Sequence, residues 1–197
     1  MSDADLVARA RQGDSAAFGE LVDRHRTAVY RATRAALGSH AEAEDAAQDA
    51  FVAAYERLAS FRGEASFKTW LLTIAWHQAI NRRRSQARWW RHIVEPSRSE
   101  SSDQRWAAVV ETDVASTAPS PEQTAAGEEL RRAILGEIQA LSATLRDTLL
   151  LAQAGDLTYD EIAAMTKTPV GTIKWRVSEA RKVIKKKLRE RGFADVG

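Results

Sequence analysis

The chain contains no cysteine. That excludes a disulfide framework and thiolate metal sites, and its four histidines are scattered without metal-ligand spacing. No apolar run approaches the ~20 residues that a membrane-crossing helix requires. The opening stretch MSDADLVARARQGD is acidic and polar, so no secretory signal is expected. Runs of β-branched and aromatic residues that would mark strands are nearly missing. A phosphate-cradling glycine loop, an HExxH pair and a Ser/His/Asp grouping of sensible spacing are absent too. These absences point away from an enzyme, a metal site or a bound cofactor. Ala, Leu, Glu and Arg dominate what remains, which predicts an all-α, intracellular, cytoplasmic protein.

A length of 197 residues suits one large domain or two small ones. The formal net charge of +2 conceals strong segregation. Residues 1–60 carry −3, residues 61–105 carry +5, residues 106–130 carry −5 and residues 131–197 carry +5. Two basic zones divided by an acidic one suggest two polyanion-binding surfaces.

Ser15 is in place to cap a helix whose stripe is Phe18, Leu21, Val22, His25 and Val29, with Gly38 at or just past its end. His25 on that stripe reads as a packed core residue. Residues 41–58 predict a second helix with apolar positions Ala47, Phe51, Ala54, Tyr55 and Leu58. Its other face gathers Glu44, Asp45, Gln48 and Asp49. That face is either plainly solvated or a docking surface for a basic partner.

The stretch FRGEASFKTWLLTIAWHQAINRRR, Phe61 to Arg84, is the most informative. A short loop holds Gly63 between Phe61 and Phe67. The helix after it repeats Phe67, Trp70, Leu71 and Ile74 at helical spacing. Its later turns carry His77, Gln78, Asn81 and three arginines. An aromatic-edged loop, amides able to read base edges and guanidinium groups for phosphates thus share one segment. The plain alternative is an amphipathic helix with a wet basic end. Arg88, Trp89, Trp90, Arg91 and His92 follow. Adjacent tryptophans diverge by about 100° on a helix, so both cannot face one core.

Composition changes between Glu95 and Gly127, which hold three of the four prolines and many Ser and Thr. A flexible linker over 95–119, acidic in its later part, is expected there between domains 1–94 and 120–197. Trp106 is unexpected in a passive tether. Ser120, Pro121 and Gln123 form a cap, first-position proline and capping-box set, and Leu130, Ile134, Ile138 and Leu141 give that helix an apolar face. Ser142 can cap a helix with Leu145, Leu149 and Leu150, ending near Gly155. Thr158 with Glu161 is another capping box, before a short helix through Ile162, Ala163 and Met165. Thr168 and Pro169 then open a last helix packing Ile173, Val177, Ala180, Ile184 and Leu188.

Residues 158–190 have the layout of a helix-turn-helix, with a strongly basic second helix. Thr172, Lys174, Trp175, Ser178 and Glu179 lie near its N-terminal end, where a reading helix meets base edges. A helical hairpin with a solvated basic face is the alternative.

Both halves resemble bacterial RNA polymerase sigma factors of the two-domain extracytoplasmic-function (ECF) class, over roughly residues 5–92 and 120–190. AEDAAQDAFVAAYERLASFRGEASFKTWLLTIAWHQAINRRR is similar to the family's second conserved region, and LTYDEIAAMTKTPVGTIKWRVSEARKVIKKKL to its fourth. The resemblance implies two small helical domains and a role in promoter recognition and melting with core RNA polymerase. It implies that Asp45, Gln48 and Asp49 dock on the polymerase. Phe61, Arg62, Gly63, Ser66, Phe67, Lys68, Gln78, Asn81, Arg82 and Arg84 would meet the minus-ten element, the loop capturing an unstacked base. Thr158, Tyr159, Thr172, Lys174, Trp175, Arg176, Ser178, Glu179, Arg181 and Lys182 would meet the minus-thirty-five element. The acidic linker would thread toward the RNA path, and an anti-sigma protein is a further implied partner. Trp175 stands where a small residue is usual and Glu179 where a basic one is, which implies an unusual minus-thirty-five preference. Leu141-Ser142-Ala143 lacks the proline usual at that domain's start.

Overall fold

A computed structural model describes residues 1–93, 121–154 and 157–193, and among them it is all helical. The expected linker 95–119 with Trp106, the Ser120 cap with its Gln123 partner, and Gly155 lie outside the described residues or side chains, as do the side chains from 87 to 93.

The first helix, α1 (Asp3–Arg11), falls in the stretch that reads only as acidic and polar. Ser2 accepts from the Asp5 N–H and Asp5 reaches back to the Ser2 N–H, a capping box built from Ser and Asp. Leu6, Val7 and Ala10 bury its inner face. Helix α2 (Ser15–Leu37) is capped by Asp14, whose Oδ1 accepts from the Ala17 N–H at 3.1 Å, so the cap falls one residue before Ser15. It stops at Gly38, whose φ of 75° is left-handed and suits glycine. His25 is packed as expected, 2.8 Å from Asp3 Oδ2 and with its ring beside Phe67.

Helix α3 (His40–Glu56) buries Ala47 and Ala54 as expected, with Leu58 just beyond its end, and departs from the expected stripe at Tyr55. It buries Ala43, Ala46, Ala47, Ala50, Ala53 and Ala54, while Tyr55 is 49 % exposed. A face of small side chains lets helix axes approach closely, so α3 sits tightly against α2 and α4; Phe51 still packs against the core, and Tyr55 is displaced outward. Leu58–Ser60 form one 3₁₀ turn. Helix α4 (Phe67–Ile93) opens with Ser66 Oγ accepting from the Thr69 N–H and buries Leu71, Leu72, Ile74, Ala75, Trp76, Ala79 and Ile80.

The second lobe comprises α5 (Pro121–Ala140), α6 (Ala143–Gln153), α7 (Tyr159–Thr166) and α8 (Val170–Glu190). Among the described side chains of α5, Ala133, Leu135 and Glu137 are buried, with Leu130, Ile134 and Ile138 only half-buried. Glu137 faces Arg191 at 2.7 Å across the α5–α8 contact. The expected caps at Ser142 and Thr158 form. Thr168 caps nothing; its hydroxyl donates to the Thr166 carbonyl, and Pro169 takes the N-cap position of α8. The turn between α7 and α8 is made by Lys167 at φ 49°.

The two lobes pack against each other. Leu150, Leu151, Ala154, Ile162 and Ile173 belong to the same buried cluster as the first-lobe core, and α2 meets α6 while α4 meets α7. Burying a Leu or Ile side chain stabilises by roughly 1.5–3 kcal/mol, so this shared core is a substantial adhesive.

Candidate nucleic-acid interface

Three of the expected contact groups can be followed from their helices outward. Asp45, Gln48 and Asp49 are exposed along α3, because the alanine face opposite them faces inward. Val52 (54 % exposed) and Tyr55 continue the same stripe. Sequence reading assigned Tyr55 to the core and passed over Val52. The signal for finding them was the dense alanine series, which needs no aromatic to complete a core. Tyr55 is steadied by an edge contact with Phe18, ring centres 4.9 Å apart.

Helix α4 crosses beside this stripe. Ala46, Asp49, Gln78, Asn81 and Arg82 line one open groove, so residues expected to meet the polymerase and residues expected to meet DNA share a surface. Arg82 bridges them: its guanidinium stands 3.4 Å from Asp45 and 3.8 Å from Asp49. Gln78 Oε1 is buried at the groove without a hydrogen-bond partner. An unpaired buried acceptor is costly, and a donor supplied by a base edge would satisfy it. Asn81 and Arg84 are exposed.

The loop after the 3₁₀ turn exposes Arg62, Gly63, Glu64, Ala65 and Ser66 in succession. Gly63 has a φ of 74°, which lets the chain reverse over this short span. Phe67 is 4 % exposed and packs on Phe61, Trp70 and His25, so it supports the loop from beneath. Phe61 and Trp70 are half-buried, their ring centres 5.2 Å apart. Lys68 lies 4.0 Å from Glu161 of α7, in the seam between lobes. Burial works to raise the Glu161 carboxyl, but hydrogen bonds from the Thr158 N–H and hydroxyl, the Lys68 charge and the Thr69 hydroxyl together hold it below the ordinary carboxylate range.

In the second lobe α7 and α8 form the helix-turn-helix. Ile173, Val177 and Ala180 anchor α8 inward. That turns Lys174, Trp175, Ser178, Arg181 and Lys182 to solvent, with Thr172, Arg176 and Glu179 on the flanks. Trp175 is 60 % exposed, an unusual position for so large an apolar ring. Thr158 is committed to its capping box, and Tyr159 is half-buried against Leu141, Leu149 and Val177. Among the described residues no cluster of His, Asp and Glu could hold a metal, and no helix is long and apolar enough to cross a membrane.

Comparison with known proteins agrees with this arrangement. Residues 21–89 match the family described as Sigma-70 region 2, and residues 131–184 match Sigma-70, region 4. The ECF RNA polymerase sigma-E factor of Escherichia coli K12 is 33 % identical over 192 residues, covering 95 % of each chain. The RNA polymerase sigma-H factor of Pseudomonas aeruginosa is 34 % identical over 190 residues, 94 % of this chain and 93 % of that one. Two solved structures share the fold. CnrH in complex with the cytosolic domain of CnrY has a TM-score of 0.61 at 24 % identity, over 95 % of this chain and 97 % of that one. The Bartonella quintana sigma factor RpoE, bound to the anti-sigma factor NepR, has a TM-score of 0.59 at 22 % identity, over 87 % and 96 %.

The two family matches, in order along one chain, make this protein a sigma-70-type initiation factor. Within that class it belongs to the ECF RNA polymerase sigma factors, and its role is promoter-specific transcription initiation.

Proposed function

We propose that the groove between α3 and α4 is where polymerase docking and promoter opening meet. Asp45, Gln48 and Asp49, continued by Val52 and Tyr55, dock on a basic and apolar surface of core RNA polymerase. Gln78 and Asn81 read the edge of the minus-ten element, and Arg82 and Arg84 hold the backbone. The loop from Phe61 to Phe67 receives the base that leaves the stack. Unstacking costs a few kcal/mol, and stacking with pocket contacts returns it. Arg62, Gly63 and Ser66 line the exposed side of that loop, Phe67 braces it, and Lys68 is available once the seam with α7 opens. In the second lobe Lys174, Trp175, Ser178, Arg181 and Lys182 read and grip the minus-thirty-five duplex. Thr172, Arg176 and Glu179 flank them, and Thr158 and Tyr159 set the first helix against the backbone.

The observation that carries this reading is the shared groove: Asp49, Gln78, Asn81 and Arg82 line one surface although they come from two helices. A plain repressor has no use for an acidic stripe beside base-reading amides. The functional units are residues 1–94 and 120–197 with the acidic linker 95–119 between them. The protein works in the cytoplasm without a catalytic step of its own. An anti-sigma protein is the further partner, as NepR is for the Bartonella quintana RpoE.

Run-off transcription with purified core polymerase tests the reading. Initiation from a cognate promoter is expected only when both proteins are present. A chain that footprints duplex DNA alone, yet supports no initiation with core enzyme, would instead be a self-sufficient helix-turn-helix regulator.

A further inference from the structure

Helix α1 precedes the stretch that matches Sigma-70 region 2, yet it grips the residue from which the base-receiving loop departs. Leu6, Val7 and Ala10 are buried and hold α1 in place. Asp3 adds contacts to Arg24 at 3.0 Å and His25 at 2.8 Å of α2. The last residue of this fixed helix is Arg11. Its Nε donates to the Leu58 carbonyl at 3.1 Å, its Nη2 donates to the Phe61 carbonyl, and its guanidinium carbon lies 6.0 Å from the centre of the Phe61 ring.

The target is a 3₁₀ turn of three residues whose Leu58 carbonyl already accepts from the Phe61 N–H at 3.2 Å, so Arg11 adds a second donor there and reaches on to the Phe61 carbonyl. A planar guanidinium fork can take two such carbonyls at once and lie near an aromatic face as well. Phe61 is thus held by its backbone and by its ring. The ring in turn touches Phe67 at 5.8 Å and Trp70 at 5.2 Å. The very next residues are the exposed run from Arg62 to Ser66.

We propose that Arg11 is a positioning residue for promoter opening: without touching DNA, it holds the start of the loop in the shape that receives the unstacked base. This rests on the loop's role given above. A loop already ordered does not have to lose conformational freedom at the moment a base arrives, which favours capture. The geometry assigns that ordering to a residue outside both matched family regions.

The test uses the full-length protein assembled with core polymerase, and a single-stranded minus-ten oligonucleotide carrying a fluorescent base analogue. Arg11→Met should weaken capture of that strand and slow opening of a duplex promoter by up to about a hundredfold, the scale of a misplaced positioning group. Core-polymerase affinity and duplex binding should stay unchanged, and Arg11→Lys, with its single ammonium, should fall between. The salt dependence of strand binding should keep its slope. A slope reduced by about one would mean a direct phosphate contact and overturn the positioning role. Equal losses in every assay would mean a merely structural role and overturn it too. Gly63→Val is the companion variant, since its side chain meets open space but strains a backbone at φ 74°. If Gly63→Val weakens capture while Arg11→Met does not, the Arg11 proposal alone falls. If neither does, the loop's role falls and takes the proposal with it.

Discussion

Arg83 of α4 donates to Asp147 of α6 at 2.5 Å, with both side chains less than one-fifth exposed. The same guanidinium donates to the Ala36 carbonyl at 3.1 Å, so one side chain ties α4 to the end of α2 and to the second lobe. Asp147 also faces Arg146 at 3.8 Å. Burial lowers the Arg146 pKa from its ordinary value, and the neighbouring Arg83 charge lowers it further. One carboxylate therefore separates two guanidinium groups in the seam.

Asp147→Asn follows directly as a test of lobe adhesion. It leaves two cations facing each other with no anion between them. Breaking a buried pair costs ~3–5 kcal/mol, and the residual exposure here brings the expected loss to about 1–3 kcal/mol. Small-angle scattering should show a larger radius of gyration, and chemical denaturation a lower midpoint. An unchanged radius would mean that the shared apolar core alone holds the lobes together.

A second seam contact titrates. The Glu161 carboxyl has a depressed pKa in the folded protein, and its unfolded value is about 4.3. Its contribution is therefore complete above roughly pH 4.3 and is lost as pH falls through the lower folded value. Acid below that range should loosen the start of α7 and its contact with Lys68 and Thr69. Glu161→Gln should be less stable than the parent at neutral pH and should flatten this part of the pH–stability curve. An identical acid limb in the parent and the variant would remove Glu161 from the account.

Two of the expected caps were legible, whereas those read at Ser15 and Thr168 fall on Asp14 and Pro169 instead. Ser142 and the Thr158–Glu161 box sit where the sequence places them, because a cap depends only on residues three apart. Leu71, Ile74, Ile173 and Val177 were legible for the same reason, since each belongs to a regular stripe. Helix α1 was missed because its capping acid is Asp5 rather than Glu or Gln, and its short apolar face is broken by arginines. Tyr55 was misplaced because α3 fills its contact with alanines, leaving the ring no space inward. The pairings of Arg11 with Phe61, Arg82 with Asp45 and Arg83 with Asp147 lie 37 to 64 residues apart, and no local pattern encodes them.

Arg82 should give effects of opposite sign in two assays. While it stands near Asp45 and Asp49, it partly neutralises the docking stripe. Arg82→Ala should therefore raise affinity for core polymerase slightly, by no more than the ~0–1 kcal/mol of an exposed ion pair. Binding to the minus-ten strand should weaken and its salt slope should fall by about one. Parallel losses in both assays would mean that Arg82 holds the groove together instead of gripping DNA.

On α8 the sharpest separation is between Lys174 and Trp175, neighbours that both face solvent near the helix start. A lysine that meets a base edge is worth ~1–3 kcal/mol of discrimination, whereas one that meets phosphate weakens all sequences alike when removed. Lys174→Ala should lower affinity for the cognate upstream duplex by ~1–3 kcal/mol and narrow its lead over unrelated duplexes. Trp175→Ala removes a bulky apolar surface without changing charge, so its salt slope should match the parent's. A loss of affinity confined to thymine-containing sites would assign the ring to the thymine methyl. Equal affinity on every duplex would mean that the exposed ring meets something other than the promoter, and competition by core polymerase for Trp175 fluorescence, in a variant keeping it as the sole tryptophan, would reveal it.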